Sequence, residues 1–234
     1  ECLQKAYEDK LESVYSCNIP DANTPIETVS TPVDIKALPK EQLNILAAEI
    51  RSELINVTSA NGGHLASNLG AVEFSVAIHR VFDCPRDHII FDVGHQSYVH
   101  KLLTGRYESF GTLRRGGGLS GFTKSAESEY DCFGAGHSST AISAAIGMAR
   151  ADLLAGKETW TVAVVGDGAL TGGLAFEGLN NAGASPNTDI LVILNDNEMS
   201  IDKPSGALDH YLLRISTSKW YNKFKGSLWS LLGK

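Results

Sequence analysis

Oxygen-bearing side chains and glycines follow the apolar runs of this 234-residue chain, at positions suited to a metal ion and a phosphate group. Asp167 stands between two glycines, and a later run ends in Asn195-Asp196-Asn197-Glu198-Met199. Carboxylate, amide and main-chain carbonyl oxygens are ligands that Mg²⁺ accepts, together with phosphate oxygens and water. The chain between Gly168 and Asn195 is about one helix plus one strand long, so we expect the two turns to lie side by side.

A glycine-rich turn, Gly134-Ala135-Gly136-His137-Ser138-Ser139-Thr140, offers backbone N–H groups before a predicted helix over 138–154. Such N–H groups bind diphosphate in turns and at helix N-termini. Asp92-Val93-Gly94-His95-Gln96, taken alone, is an ordinary strand-to-helix turn in which His95 caps or packs. Four separate loops with matching ligands at matching strand ends are harder to explain as unrelated turns, so we expect one shared site.

The elements that must position these loops follow from the apolar periodicity. Nearly continuous apolar runs predict strands over 88–93, 160–165 and 190–194, and helical segments separate them, including 138–154 and 173–182. This order predicts an α/β fold with a doubly wound, mainly parallel sheet flanked by helices. Ligands of such sheets bind beyond the carboxyl ends of the strands.

Two helices are predicted before the first strand. Apolar residues recur at helical spacing behind Pro39, which suits a first helical turn; they are Leu43, Leu46, Ala47, Ile50, Leu54 and Val57. A second helix is predicted to begin near Ser67, with Leu69, Val72 and Val76 on its buried side.

The composition favours a globular protein that acts on small molecules. A hydrophobic share of 43% and a charged share of 20% suffice for a core and argue against disorder. The formal charge of -7 gives nucleic acid no general electrostatic help. We therefore expect no nucleic-acid partner.

Cysteine usage and hydropathy predict a cytoplasmic location. Cys2, Cys17, Cys84 and Cys132 lie far apart with no Cys-x-x-Cys pair, which favours reduced thiols over a disulfide scaffold or zinc site. No run approaches the roughly 18 apolar residues that span a bilayer. The acidic residues among 1–12 argue against a transit peptide, so we expect no membrane partner.

Six motifs together resemble the 1-deoxy-D-xylulose-5-phosphate synthases, which use thiamine diphosphate. In chain order they are Gly62-Gly-His-Leu-Ala-Ser-Asn-Leu-Gly70, Asp92-Val-Gly-His-Gln-Ser-Tyr98, Glu127-Ser-Glu-Tyr-Asp131, Gly136-His-Ser-Ser-Thr140, Gly166-Asp-Gly-Ala-Leu-Thr171 and Leu194-Asn-Asp-Asn-Glu-Met-Ser-Ile201. The resemblance runs from about Asp34 to beyond Ile201. Transketolases share Gly-Asp-Gly and a histidine-bearing loop, but a counterpart of the second motif is not expected in them.

The resemblance implies a role for individual residues. Mg²⁺ would be held by the side chains of Asp167 and Asn197 and by the main-chain carbonyl of Met199. The residues implied to bind thiamine diphosphate are His95, Gly136, His137, Ser138, Gly168, Ala169 and Asn197. His64 and His95 would face the thiazolium and the substrate, where an imidazole that titrates near neutral pH can transfer protons.

The implied reaction decarboxylates pyruvate and adds the two-carbon unit to glyceraldehyde 3-phosphate through a carbanion on thiamine diphosphate. The product, 1-deoxy-D-xylulose 5-phosphate, feeds isoprenoid, thiamine and pyridoxal synthesis. The full-length form would be a homodimer, and the motifs favour a bacterial over a plastid source.

Departures from the family pattern limit these expectations. Arg114-Arg115 stands where Arg-Gln is more usual and Lys124-Ser125 where Lys-Arg is usual, and we assign them no catalytic role. A pyrimidine-binding domain, whose glutamate activates the cofactor ring, has no match in the chain. We therefore expect the isolated chain to be inactive without that domain or a partner chain.

The predicted organisation has three parts. Residues 1–33 form an arm or linker, 34–202 the thiamine diphosphate and Mg²⁺-binding α/β domain, and 203–234 a basic and aromatic segment that leads to missing domains. A transketolase-like N-terminal subunit and a non-catalytic cofactor-binding module stay open as alternatives.

Overall fold

A parallel sheet lies at the centre of the described part of the chain. The computed structural model describes residues 25–195, and its strands are β1 (His88–Phe91), β2 (Thr161–Gly166) and β3 (Ile190–Asn195). They pair in the order β1-β2-β3, all parallel. The three predicted strands are confirmed, although β1 ends before Val93, where the backbone turns into the left-handed region with φ 60°.

The helices precede, connect and cover the strands. They are α1 (Pro25–Thr28), α2 (Pro32–Ala37), α3 (Lys40–Asn61), α4 (Leu65–Leu69), α5 (Val72–Val81), α6 (Tyr98–Leu103), α7 (Ala141–Leu154), α8 (Asp167–Leu170) and α9 (Gly173–Gly183), with a 3₁₀ turn at Phe110–Thr112. The helix predicted behind Pro39 is confirmed as α3. The single helix predicted near Ser67 is wrong, because the chain breaks at Gly70 and Ala71 into α4 and α5. Glycine is a poor helix former, which favours a break at this point.

Both faces of the sheet are covered by helices. On one face α7 and α9 pack on Ile90, Ala163 and Val165. On the other face α5 packs on Ile89, Phe91, Val162 and Val164. Alternate residues of a strand point to opposite faces, so strands buried on both sides must be apolar throughout. This arrangement confirms the doubly wound α/β fold.

A third core joins α1, α2, α3 and α6 beside the sheet. Ile26 and Val29 are 4% and 2% exposed within it, so the described part of the predicted arm at 1–33 already packs against the body of the protein. Residues 1–24 and the predicted segment at 203–234 lie outside the described residues. Within residues 25–195, no helix combines the length and hydropathy needed to cross a membrane.

The two described cysteines are free thiols. Burial raises the pKa of Cys84 to about 12 and the pKa of Cys132 to about 11. A protonated thiol is a weak nucleophile and a weak metal ligand, so both side chains serve as core residues.

The buried carboxylate of Asp92, directly after β1, determines where α7 begins. It accepts hydrogen bonds from the backbone N–H groups of Ser139 at 2.7 Å and Ala141 at 3.0 Å. Ser139 has φ 69°, which is not helical. The helix predicted from Ser138 therefore begins at Ala141, with a cap supplied by a distant strand end rather than by its own loop.

A buried ionic network holds the loop between α6 and α7. Arg106 donates to both oxygens of Asp131 at 2.9 Å, and the backbone N–H of Lys124 donates to Asp131 at 2.8 Å. Glu127 accepts from the N–H of Ser120 at 2.8 Å and from Lys101. These bonds join separate parts of the loop to one another and to Lys101 of α6. The loop is therefore held against α6.

Two buried histidines extend this network. His79 Nε2 lies 2.9 Å from His100 Nδ1, and His100 Nε2 lies 3.1 Å from Asp131. Burial and nearby positive charge lower the pKa of both histidines. Burial by itself would raise the pKa of Asp131, but hydrogen bonds from His100 and Arg106 outweigh it and hold this pKa well below its usual range. Neutral histidines satisfy the geometry when His79 Nε2–H donates to His100 and His100 Nε2–H donates to Asp131.

Replacing Asp92 should destabilise the domain. Asp92→Ala leaves two backbone N–H groups without their acceptor, and we expect a loss of about 2–3 kcal/mol in the free energy of unfolding. Urea denaturation of the purified protein measures it. Asp189→Asn, at an exposed position, is the matched control and should leave stability unchanged. Equal stability of Asp92→Ala and the parent would contradict the capping role.

The histidine pair should make folding sensitive to mild acid. The pKa of each histidine is lower in the folded state than the usual 6.5, so its stabilisation is complete above pH 6.5 and is lost as the pH falls. His79→Leu removes one such group. Between pH 6.5 and 5 we expect the slope of unfolding free energy against pH to fall by up to about 1.4 kcal/mol per pH unit. An unchanged slope in urea titrations would show that His79 does not carry this effect.

Candidate functional site

The carboxyl edge of the sheet gathers the chemistry-bearing turns. Asp92 follows β1, Asp167 follows β2, and Asn195 ends β3. Gly166 and Asn195 are direct partners in the β2–β3 register. The expectation that the chain between them brings these two turns side by side is confirmed.

Gln96, in the loop after β1, contacts the ends of β2 and β3. Asn195 Nδ2 donates to Gln96 Oε1 at 3.2 Å, and a Cβ on Gly166 would lie 3.3 Å from Gln96 Nε2. The amide of Gln96 therefore lies across the end of β2. Gln96 was not among the predicted site residues, although its place in the Asp92–Tyr98 motif was the available signal.

The two predicted catalytic histidines lie together. The ring centroids of His64 and His95 are 5.6 Å apart and nearly perpendicular. His64 Nδ1 lies 3.3 Å from the hydroxyl of the buried Tyr98, and the Phe122 ring lies 6.0 Å from the His64 ring. His64 comes from the loop before α4 and His95 from the loop after β1, so the tertiary fold creates this pair.

The environment keeps both imidazoles largely neutral near pH 7. Burial lowers the pKa of His64, and the positive charge of Arg114 lowers it further. Burial lowers the pKa of His95, with a further decrease from His64, while the charges of Asp92 and Asp167 partly oppose it. The Nδ1 atom of His95 is buried and has no hydrogen-bond partner within residues 25–195. A neutral imidazole can accept a proton from a bound molecule.

Gly94 allows the His95 loop to fold against its neighbours. Its φ of 88° lies in the left-handed region, and a Cβ there would lie 3.1 Å from the Thr123 nitrogen and 3.2 Å from the Ala135 Cβ. Only glycine accommodates both the conformation and the close packing without strain.

The predicted diphosphate loops are adjacent. The buried Ser139 donates its hydroxyl to the carbonyl of Ala169 at 2.7 Å, and a Cβ on Gly172 would collide with Ser139. This contact joins the loop before α7 to helix α8. Because Asp92 already holds the N–H groups of Ser139 and Ala141, the donors left for an anion are those of the exposed residues Gly136, His137 and Ser138.

Of the three predicted Mg²⁺ ligands, only Asp167 lies within the described residues. Asp167 is half-buried at the start of α8, whereas Asn197 and Met199 lie outside the described residues. Within residues 25–195, no three His, Cys, Asp or Glu side chains cluster as a metal site. A half-buried carboxylate beside the end of β3 has the donor chemistry that Mg²⁺ requires, so the residues present fit the expected ion.

Asn68 and Tyr98 are further site residues that the sequence analysis did not single out. Both are fully buried, and Tyr98 reaches His64 through its hydroxyl. A polar residue on the apolar side of a helical pattern was the available signal for Asn68.

Comparisons with known proteins identify the family. A family model described as 1-deoxy-D-xylulose-5-phosphate synthase matches residues 26–234. The 1-deoxy-D-xylulose-5-phosphate synthases of Francisella tularensis subspecies novicida and subspecies tularensis are 54% identical over 202 residues, which is 86% of this chain and 33% of each relative. The chain thus spans about a third of the length of these curated relatives.

Solved structures support the fold. A transketolase from Leishmania mexicana superposes with a TM-score of 0.64 at 20% identity, covering 74% of this chain and 31% of that one. A transketolase variant from Pichia stipitis gives 0.58 at 19% identity, covering 77% and 28%. At these identities the likeness concerns the fold, while the family follows from the sequence match: the chain belongs to the 1-deoxy-D-xylulose-5-phosphate synthase family and corresponds to its N-terminal part.

Proposed function

We propose that this chain forms the metal- and diphosphate-binding part of an enzyme that joins pyruvate, with loss of CO₂, to glyceraldehyde 3-phosphate. The observation that carries the proposal is the meeting of the two histidines, the Gly136–Ser138 turn and Asp167 at one edge of the sheet. Membership of a thiamine-diphosphate-dependent family supports it. The product would be 1-deoxy-D-xylulose 5-phosphate.

The residues of this chain would hold the cofactor from its diphosphate end. Asp167 would bind Mg²⁺ with Asn197 and the carbonyl of Met199. Gly168 and Ala169 would meet the diphosphate on one side, and the Gly136–Ser138 turn would meet it on the other. When bound, thiamine diphosphate supplies the nucleophilic carbon and the electron sink for decarboxylation of a 2-oxo acid.

His64 and His95 would then move protons at the reacting end. Their lowered pKa values keep the rings neutral near pH 7, so each can accept a proton and return it. The apolar ring of Phe122 lies next to His64 and limits access of water to that side. Tyr98 holds the His64 ring through its hydroxyl.

The remaining contacts would come from another domain or chain. Helix α9 exposes Leu174, Phe176 and Leu179, whose exposed fractions are 51%, 46% and 37%. A pyrimidine-binding domain with its activating glutamate, and a homodimeric full-length form, would cover such surfaces. A cytoplasmic location stays a prediction, supported by the bacterial origin of the relatives. The division at 33/34 and 202/203 likewise stays a prediction.

Removal of the Asp167 carboxylate should weaken cofactor binding. We expect Asp167→Ala to lower the affinity for thiamine diphosphate with Mg²⁺ by at least about 10-fold, because replacing even an outer-shell group has this effect. Calorimetry with the full-length protein measures it. Asp189→Asn, an exposed carboxylate at the amino end of β3 and away from the carboxyl ends of the strands, is the control. Unchanged binding in Asp167→Ala would refute the metal assignment.

Activity assays should identify both the reaction and its proton-transfer group. The full-length protein, or this chain with one that carries the pyrimidine-binding domain, should release CO₂ from pyruvate and form 1-deoxy-D-xylulose 5-phosphate. His95→Asn should lower kcat by about 100-fold or more. Because the pKa of His95 lies below 6.5, the acid limb of kcat/KM should lie below pH 6.5.

Other outcomes would favour the alternatives. Turnover of a ketose phosphate as the two-carbon donor, without use of pyruvate, would indicate a transketolase-like subunit. Cofactor binding without turnover of either donor in the full-length protein would indicate a non-catalytic module. An acid limb that His95→Asn does not change would assign the proton transfer to another group.

A further inference from the structure

Asn68 is a fully buried side chain at the site that has no assigned role. It lies in α4 and has an exposed fraction of 0%. Its Nδ2 donates to the backbone carbonyls of His64 and His95, each at 2.7 Å, and its Oδ1 accepts the backbone N–H of Tyr98 at 2.9 Å. All three bonds are short and their partners lie in different elements.

The pattern of donors and acceptors selects an amide at this position. Two carbonyls require two N–H donors, and one N–H requires an acceptor, which together are the groups of an asparagine side chain. Aspartate would place oxygen against both carbonyls. Alanine would leave the buried Tyr98 N–H and the partly buried His95 carbonyl without these partners, while the His64 carbonyl keeps a backbone N–H. An unpartnered buried polar group is costly, so the amide keeps the three segments in one arrangement.

The three segments carry the two histidines and the tyrosine that contacts one of them. The residues bound by Asn68 are separated from it by 4, 27 and 30 positions. Within the described residues, no other side chain hydrogen-bonds to the backbone carbonyls of both His64 and His95. The amide of Asn68 therefore links the backbones that carry the two rings, whose centroids lie 5.6 Å apart.

We propose that Asn68 is a positioning residue that sets the relative placement of the His64 and His95 rings and thereby the rate of proton transfer between the site and its substrate. This role rests on the proposed function, because it concerns the same two histidines. Proton transfer depends steeply on placement, and a displacement of about 1 Å can cost about 100-fold in rate. Asn68 itself contacts the backbones of the histidines and acts only through them.

The charges that face the two rings come from several elements. Arg114 acts on His64, whereas Asp92 and Asp167 act on His95, and each imidazole acts on the other. If the rings loosen and gain water, burial no longer lowers the pKa of either ring, and both pKa values should rise toward 6.5. The pKa values of His79 and His100, in the separate buried network, should stay low and report an intact fold.

Two variants and one control test the proposal in the full-length protein. Asn68→Ala removes the three bonds, and Asn68→Asp keeps the shape but removes the two donors. Asn44→Ala changes an exposed asparagine of α3 and should match the parent. We expect kcat with pyruvate and glyceraldehyde 3-phosphate to fall about 100-fold in Asn68→Ala. KM for pyruvate and affinity for thiamine diphosphate should be unchanged.

Ring titrations by NMR separate positioning from a general loss of structure. In Asn68→Ala the pKa values of His64 and His95 should rise while those of His79 and His100 do not. Parent-like kcat and ring titrations in Asn68→Ala would overturn the proposal. A loss of kcat matched by an equal loss of cofactor-bound protein would also overturn it, since the role would then be structural.

The outcomes distinguish this proposal from the proposed function. If the parent has no synthase activity, the proposed function fails, and the ring titrations alone decide whether Asn68 positions the histidines. If Asn68→Asp does not fold because it buries an unmatched carboxylate, Asn68→Ala decides the question. Parent-like ring pKa values in Asn68→Ala would then reject the positioning role without reference to activity.

Discussion

The rest of the site depends on the buried carboxylate of Asp92, which ties the end of β1 to the start of α7. Its partners, the N–H groups of Ser139 and Ala141, lie 47 and 49 positions away in the chain. A carboxylate buried with two backbone donors is stable only when both bonds form. Asp92 therefore determines where α7 begins relative to the carboxyl end of β1.

This position of α7 determines which backbone groups are free to bind a ligand. Ser139 donates its backbone N–H to Asp92 and its hydroxyl to the carbonyl of Ala169. The turn immediately before it, Gly136–Ser138, is left exposed beside α8. The start of α7 therefore presents a turn whose N–H groups have no partner within residues 25–195, an arrangement suited to diphosphate recognition.

A second, ionic constraint supports the opposite wall of the site. The buried carboxylate of Asp131 and the partly buried carboxylate of Glu127 accept hydrogen bonds from α6 and from the loop that contains Phe122, which packs near His64. Breaking such a network leaves a buried charge unmatched and is strongly destabilising. The loop thus behaves as part of the core, although its sequence is rich in glycine and charge.

Much of the framework could be predicted from local pattern. Each of the three apolar runs forms a strand. Helices cover both faces of β1 and β2, whose residues after the first position are apolar for that reason, whereas β3 is only partly buried. The run behind Pro39 forms α3, because its apolar residues recur at helical spacing. The late start of α7 and the packing of Ile26 could not be predicted, since each depends on a partner distant in the chain. The break at Gly70, in contrast, has a local signal in the glycine itself.

The amino-acid order specifies the types of chemical group and where they stand along the chain: an acidic residue between glycines, histidines in two glycine-containing loops, and a small-residue turn before a helix. These groups come together only in the folded chain, where the His64 and His95 rings lie 5.6 Å apart, burial lowers the pKa of both, and Asn68 joins their backbones. The physical reason is that composition and periodicity describe single elements. Separation, burial and hydrogen-bond partnership belong to pairs of elements that meet only when the chain folds.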